Sequence, residues 1–180
     1  MADINVATLQ EQAVAATGLH DFGDPYYLDG LTRLVASANV EAKLSEAGAS
    51  RFAGAMVGYL VNRLKVVDYA KAHPELLAAP VEKPMFVFGL PRTGTTLTIN
   101  LLASDPMRRT YMRWESLNSV PPPSANWRED PRYLAEVERM EMSLKYMPHI
   151  SAIHHEDADS PSECQFAMAQ SFVAEVFDSQ

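Results

Sequence analysis

The chain has 180 residues, of which 47% are hydrophobic and 21% are charged. This composition is typical of a globular protein and excludes a disordered or fibrous chain. The 15 basic and 23 acidic side chains give a formal net charge of −8. That charge argues against nucleic acid or an anionic membrane surface as the main partner.

The chain carries no sign of export or of a membrane span. Residues 1–5 lack the basic stretch and apolar run of a secretory signal. The longest nearly apolar run, 52–61, is half of the roughly 20 residues that a spanning helix needs. The single cysteine, Cys164, cannot form an internal disulfide. We therefore expect a cytoplasmic protein, and the sequence leaves its oligomeric state open.

Residues 1–80 predict a helical N-terminal region. An alanine-rich stretch covers 7–17, and Asp24–Pro25 offers an N-cap followed by proline at the first helical position of a helix to about residue 38. Apolar side chains then recur at helical spacing over 50–72. A stripe of this kind indicates core packing rather than a binding groove.

The next segment predicts a strand, a loop and a helix. The apolar run Met85–Gly89, bounded by proline and glycine, fits a strand buried on both faces, as in a parallel sheet. Residues 97–104 read as a helix that Asp105–Pro106 stops. A second strand is possible at 110–113, and Asp130–Pro131 opens another helix.

The loop after the predicted strand has the spacing of a phosphate-binding loop. Gly89 and Gly94 fit G-x-x-x-x-G-K-[ST], with Thr95 at the lysine position. Without that lysine ATP hydrolysis is disfavoured, whereas Arg92 inside the loop can hold two oxygens of a phosphate or sulfate. Residues 81–113 are also the net basic part of the chain, with 5 basic and 2 acidic side chains. The alternative is an ordinary exposed loop with a surface arginine.

The stretch Phe88–Leu97 resembles the 5′-phosphosulfate-binding loop of sulfotransferases that use PAPS, 3′-phosphoadenosine 5′-phosphosulfate. The likeness continues through Asn100–Leu102, Asp105–Pro106, Trp114–Glu115, Pro121–Pro123 and His155–Glu163. It is greatest to the bacterial branch with a helical N-terminal extension. Arg92 and Leu97 depart from the lysine and tryptophan of the cytosolic branch, although the protein-tyrosine sulfotransferases also have the arginine.

This resemblance implies a fold, a reaction and a set of donor-binding residues. The fold is α/β, a nucleotide-kinase-like parallel sheet flanked by helices, with residues 81–180 as its first part. The reaction moves a sulfuryl group from PAPS to a hydroxyl of a small-molecule acceptor, without a metal. The family's 3′-phosphate-binding motifs are absent, so we expect an incomplete, N-terminal half that is inactive alone. The implied donor-binding residues are Pro91, Arg92, Thr93, Gly94, Thr95, Thr96 and Leu97.

The transfer also needs a base for the acceptor hydroxyl, and three residues compete for that role. Glu115 ranks first, because it follows the possible second strand and resembles the catalytic glutamate of the protein-tyrosine sulfotransferases. Its alternative role is a loop carboxylate paired with Arg113 or Arg92. His155 and Glu156 belong to a second dense set of ionisable groups, which is otherwise a solvated acidic loop. A metal site there lacks a recognisable ligand spacing.

Several further predictions concern neighbouring residues. Arg108, Arg109 and Arg113 are expected on the surface; the alternative is that one of them faces the nucleotide. Ser160–Glu163 fits a capping box, and Cys164 is expected to be buried. Two other functions compete with sulfuryl transfer: a kinase-like P-loop nucleotide-binding protein, and a helical interaction domain with a degenerate loop.

Overall fold

A computed structural model describes residues 4–90, 93–149, 156–174 and 177 of the chain. Helices dominate these ranges. Two 3₁₀ turns, Trp127–Glu129 and Ala169–Ser171, accompany the α-helices. The α-helices are α1 (Val6–Thr17), α2 (Tyr27–Val40), α3 (Glu46–Ala72), α4 (Pro74–Ala78), α5 (Thr95–Ala103), α6 (Arg113–Leu117), α7 (Pro131–Tyr146) and α8 (Cys164–Met168).

Local capping explains where the longer helices begin and end. The side chains of Asn5, Ser45 and Asp130 each accept a hydrogen bond from an amide in the first turn of α1, α3 and α7. At the end of α1, Gly18 adopts a left-handed conformation with φ of 70° and donates to the carbonyl of Val14. The helices predicted from apolar spacing are confirmed. The predicted start of α2 is wrong, because the helix begins at Tyr27 with Tyr26 as its N-cap, and not at Pro25 after Asp24.

The predicted parallel sheet is wrong for this chain, because the described residues contain no β-strand. A strand forms only where a neighbouring strand completes its backbone hydrogen bonds, and none in these ranges pairs with Met85–Gly89. Phe86 and Phe88 are 64% and 88% exposed, so the apolar run is not buried. The second predicted strand is reduced to one antiparallel bridge between Met112 and Pro161.

Two expectations for the end of the chain also fail. Helix α8 begins at Cys164, and Pro161 pairs with Met112 instead of opening a helix. The hydroxyl of Ser160 accepts from the amide of Asp157 at 2.9 Å, which closes a turn rather than a capping box. Cys164 is exposed, not buried.

The chain divides into two compact units, and the first combines Met1–Leu77 with Cys164–Gln180. Its core is a cluster of apolar side chains from α1, α2 and α3, completed by Ala169, Phe172, Ala174 and Phe177. Phe172 stacks near Phe177 and meets the edge of Tyr59. The predicted domain boundary near residue 80 stays a prediction.

Arg63 joins the loops of this first unit to α3. Although it is only 7% exposed, its guanidinium donates to the carbonyls of Phe22 at 2.7 Å and Asp24 at 2.8 Å. A third bond reaches the carbonyl of Gln170 at 3.3 Å, and the charge lies 4.4 Å from the ring centroid of Tyr27. Backbone oxygens and an aromatic face thus compensate a buried cation.

The second unit, Ala78–Glu163, is organised around one buried tryptophan. Trp114 is 1% exposed and stacks on Trp127 with ring centroids 6.3 Å apart. Tyr133 meets both rings edge-on. The other strongly buried side chains of this unit are mostly polar: Glu115, Ser116, Glu136 and Ser162. None of the described helices in the chain is long and apolar enough to cross a membrane.

Gly30 gives a direct test of the first unit's packing. A methyl group there would lie 2.8 Å from the carbonyl carbon of Phe172 and closer still to its oxygen. Because backbone cannot rotate away, we expect Gly30→Ala to lower the free energy of unfolding by about 2 kcal/mol or more, measured by denaturant titration.

Gly54→Ala is the matched control. Gly54 lies within α3 with nothing inside 4 Å of an added methyl group, so this variant should gain about 0.5–1 kcal/mol from helix propensity. Equal stabilities for the two variants would show that Phe172 does not lie against Gly30.

Candidate functional site

The glycine loop leads directly into α5. Gly94 is the N-cap of α5 and has φ of 94°, a left-handed conformation that favours glycine. Its carbonyl accepts from both the amide and the hydroxyl of Thr98, at 3.0 and 3.1 Å. The hydroxyl of Thr93 donates to the carbonyl of Leu90 at 2.6 Å, so a side chain joins the residues on either side of Pro91 and Arg92.

Gly89 allows the loop to close on itself. A methyl group at this position would lie 2.6 Å from the hydroxyl of Thr93 and 2.8 Å from the methyl of Thr95. Only a residue without a side chain fits between these two threonines. The first glycine of the motif is thus a packing requirement of the loop.

The start of α5 has the character of an anion site. The first-turn amides of a helix have no intrahelical partner, and the helix dipole places positive potential there. Thr95, Thr96 and Leu97 occupy that turn, and Thr96 and Leu97 are exposed. This arrangement can bind a phosphate or sulfate group.

Two of the predicted site residues in this loop, Pro91 and Arg92, lie outside the described residues, and so does His155. Within the described ranges, no hydrogen bond or ion pair connects the loop residues 93–97 to Glu115. The glycine loop and the candidate base are therefore built by separate sets of contacts.

Glu115 lies in the first turn of α6 and is 3% exposed. One carboxylate oxygen, Oε2, accepts from the amide of Met112 at 3.0 Å, and the other forms an ion pair with the guanidinium of Arg109. The partner expected from the sequence was Arg113 or Arg92, so the pairing with Arg109 is a correction. Arg109 itself keeps 62% of its side chain exposed.

The residues before Glu115 are tied to the segment that follows residue 155. The amides of Arg113 and Trp114 donate to the carbonyls of Ser160 at 3.0 Å and Ala158 at 3.1 Å. In return, the amide of Ser162 donates to the carbonyl of Tyr111 at 2.7 Å. We call these paired segments, Tyr111–Trp114 and Glu156–Ser162, the clamp.

Arg113 reinforces the clamp from inside. Its guanidinium donates to Glu156 at 2.9 Å and to Glu136 of α7 at 3.4 Å. The side chains of Arg113, Glu136 and Glu156 are 16%, 6% and 15% exposed. Arg113 is therefore not the surface arginine that we expected, and Glu156 is an ion-pair partner rather than a free carboxylate.

Helix α7 supplies the second carboxylate of this network. Glu136 also accepts from Arg139, with Nε to Oε2 at 2.7 Å, and this hydrogen bond raises the pKa of the Arg139 guanidinium. At the start of the helix, Arg132 holds the pKa of the Asp130 carboxyl below its usual value through a side-chain hydrogen bond. Among the described residues, no group of three or more His, Cys, Asp or Glu side chains could hold a metal ion.

Residues 84–180, which contain both the loop and Glu115, match a family model described as the sulfotransferase family. The chain belongs to the sulfotransferase family. The expected family is thus confirmed. A comparison with curated proteins gave no match.

Two solved sulfotransferases are similar to this chain. The crystal structure of sulfotransferase STF9 from Mycobacterium avium is 34% identical, with a TM-score of 0.88 over 99% of this chain. Sulfotransferase STF1 from Mycobacterium tuberculosis H37Rv is 28% identical, with a TM-score of 0.85 over 98% of it. The match covers 47% and 49% of those structures, so the chain spans about half of their length.

The sequence did not reveal the partners of Glu115 and Arg113. The capping-box pattern needs a small polar residue at the N-cap, and Met112 stands there. Arg113 is 23 residues from Glu136 and 43 from Glu156, so no local spacing connects them. The one available signal was the excess of arginine in 108–113 beside an acidic C-terminal part.

Asp130 gives a pH-dependent test of the helix that supports this network. Its native pKa is lowered from 3.8, so the Arg132 pair stabilises the fold above that value and the stabilisation is lost as pH falls through the native pKa. Asp130→Asn keeps an N-cap acceptor but removes the charge. We expect a loss of about 1 kcal/mol at neutral pH.

The loss should begin to shrink as the pH falls through 3.8, where the unfolded carboxyl takes up a proton, and should disappear below the lower native pKa. Urea unfolding at a series of pH values measures it. A loss that is unchanged at pH 3, about one unit lower, would contradict the ion pair as its origin.

Proposed function

We propose that the full-length protein is a sulfotransferase that moves a sulfuryl group from PAPS to a hydroxyl group of a small-molecule acceptor. The observation that carries this proposal is the family match over 84–180, because it includes the glycine loop. The whole-protein activity is a proposal, since the chain spans about half of the similar structures.

The geometry of the loop supports an anionic donor. Thr95, Thr96 and Leu97 present first-turn amides at an N-cap glycine, which is the arrangement that binds phosphate and sulfate oxygens. We propose that Arg92 adds a planar, permanently charged donor to this cradle. Pro91 and Thr93 complete the proposed donor-binding set with Gly94, by the resemblance of the loop.

The proposed sulfuryl transfer accounts for every bond and proton without a metal. PAPS supplies the sulfuryl group when it is bound: the acceptor oxygen forms a bond to sulfur, the bond from sulfur to the bridging phosphate oxygen breaks, and adenosine 3′,5′-bisphosphate leaves. The acceptor's proton goes to the base. Arg92 and the amides of α5 stabilise the charge that develops on the departing oxygens.

We propose Glu115 as that base. Its carboxylate is oriented by Met112 and Arg109. Because the Arg109 side chain is 62% exposed, we propose that the acceptor hydroxyl displaces this guanidinium to come within hydrogen-bond distance of Oε1, as a base requires. His155 stays a second candidate, whereas Glu156 already bonds Arg113 within the clamp.

A kinase-like nucleotide-binding protein is not favoured by the family match, and Thr95 stands where kinases place the phosphate-binding lysine. The cytoplasmic location predicted from the sequence stays a prediction.

Donor choice tests the loop. We expect the full-length protein to bind adenosine 3′,5′-bisphosphate at least tenfold more tightly than ATP with magnesium, because the loop has an arginine for a sulfate or phosphate but no lysine for the outer phosphates. Isothermal titration calorimetry with both ligands measures the ratio. Equal or tighter binding of ATP would favour the kinase-like function instead.

Substitutions of Arg92 and Glu115 should have different effects on turnover and on donor binding. Arg92→Ala removes charge stabilisation, so we expect turnover to fall about a hundredfold or more with weaker donor binding. Glu115→Gln keeps the shape but loses the proton acceptor, so turnover should fall roughly a hundredfold to ten-thousandfold while donor binding persists. Sulfate transfer from labelled PAPS, with donor affinity measured in parallel, separates the two.

Matched controls come from exposed side chains of the same types. Arg33→Ala removes an exposed arginine from α2, and Glu138→Gln neutralises an exposed glutamate of α7. Both should retain normal turnover. If His155→Ala abolishes turnover while Glu115→Gln does not, the histidine is the base.

A further inference from the structure

We infer that Arg113 is a positioning residue for sulfuryl transfer: by holding the clamp closed, it fixes the place of the Glu115 carboxylate without contacting it. The inference rests on the proposed function, in which Glu115 accepts the acceptor's proton. It assigns to a partly buried arginine a role in turnover that is separable from donor binding.

The position of Glu115 depends on the three residues before it. Its carboxylate accepts from the amide of Met112, and its own amide donates to the carbonyl of Met112 at 3.1 Å. Helix α6 is only five residues long, and isolated helices of that length are not stable in water. The backbone around Met112 must therefore be held by other contacts.

The clamp provides those contacts. Met112 is bridged to Pro161, and the amides of Arg113 and Trp114 on its C-terminal side donate to the 156–162 segment. On its N-terminal side, the Tyr111 carbonyl accepts from Ser162. A displacement of the 156–162 segment would therefore move the backbone that sets Glu115.

Arg113 is the charged connection that keeps this segment in place. It lies between two carboxylates, Glu156 on the clamp and Glu136 on α7, which would repel each other without it. Glu136 retains Arg139 as a second partner. Loss of the arginine side chain would remove its 2.9 Å bond to Glu156 from the clamp.

The donor loop is outside this network. Within the described residues, the hydrogen bonds of Thr93, Gly94 and Thr98 stay inside the loop and α5. A change at Arg113 is therefore expected to leave donor affinity nearly unaltered. This separation distinguishes a positioning role from general unfolding.

The experiment compares the full-length enzyme with Arg113→Met and Arg113→Lys. Lysine keeps the charge but lacks the planar fork that bonds two carboxylates at once, so it serves if the methionine variant does not fold. We expect kcat, per donor-binding site counted by calorimetry, to fall about 10- to 100-fold, as small misplacements of a catalytic group do. The Kd for adenosine 3′,5′-bisphosphate should change by less than about twofold.

Arg128→Met is the matched control. Arg128 also pairs with the clamp, through Asp159 at 3.4 Å, but its side chain is 68% exposed, and exposed pairs contribute little. It should keep normal kcat per site. An equal loss of kcat per site in Arg128→Met would overturn the assignment to Arg113. An unchanged kcat per site in Arg113→Lys would also overturn it, because a purely structural role lowers only the number of donor-binding sites.

A double variant tests whether Arg113 acts through Glu115. Adding Arg113→Lys to Glu115→Gln should lower kcat per site by less than a further factor of about two, because the carboxylate that Arg113 positions is already lost. A full additional loss would overturn the inference.

Amide hydrogen exchange separates this inference from the proposed function. In Arg113→Lys, the amides of Trp114 and Ser162, which bond across the clamp, should exchange at least about tenfold faster than in the wild type. Unchanged exchange overturns the inference whatever the activity. If the wild type transfers no sulfuryl group from PAPS to any hydroxyl tested, the proposed function fails, and faster exchange still supports the structural role of Arg113.

Discussion

The site-bearing unit depends on a partly buried guanidinium, that of Arg113, set between two carboxylates. Arg113 bonds Glu156 and Glu136, and around this charge the 111–114 backbone exchanges hydrogen bonds with 156–162. The two carboxylates would repel each other without the guanidinium between them, so each member favours the placement of the other two. With so few large apolar side chains buried beside Trp114, charge and backbone pairing determine the local order.

The two halves of the candidate site are built by opposite strategies. The Thr93 hydroxyl bonds within the glycine loop. The first-turn amides of α5, which follow the N-cap Gly94, have no intrahelical partner and can donate to an anion. Glu115, in contrast, has both oxygens engaged and is nearly inaccessible. The loop is therefore suited to binding an anion, whereas the contacts of Glu115 fix the orientation of its carboxylate.

What the sequence predicted correctly was local. Apolar spacing and caps such as Asp130 determine helices within a few turns, and the glycine spacing located the N-cap at Gly94. The strand at Met85–Gly89 was wrong because an apolar run reports a tendency toward burial, while a strand also needs a hydrogen-bonding neighbour, which the described residues do not supply. Glu115 could be named from its position, but its pairing with Arg109, and that of Arg113 with Glu156, depend on where distant segments meet.

The first unit's use of residues from both ends of the chain has a consequence for biosynthesis. Arg63 bonds a carbonyl 107 residues further along, and the core of α1 to α3 is completed by Phe172. At roughly 5–20 residues per second, a ribosome needs several seconds to make the intervening polypeptide. Throughout that interval the nascent helices present an unfilled apolar surface and an arginine lacking one of its acceptors, so the core of this unit can close only after Phe177 has been made.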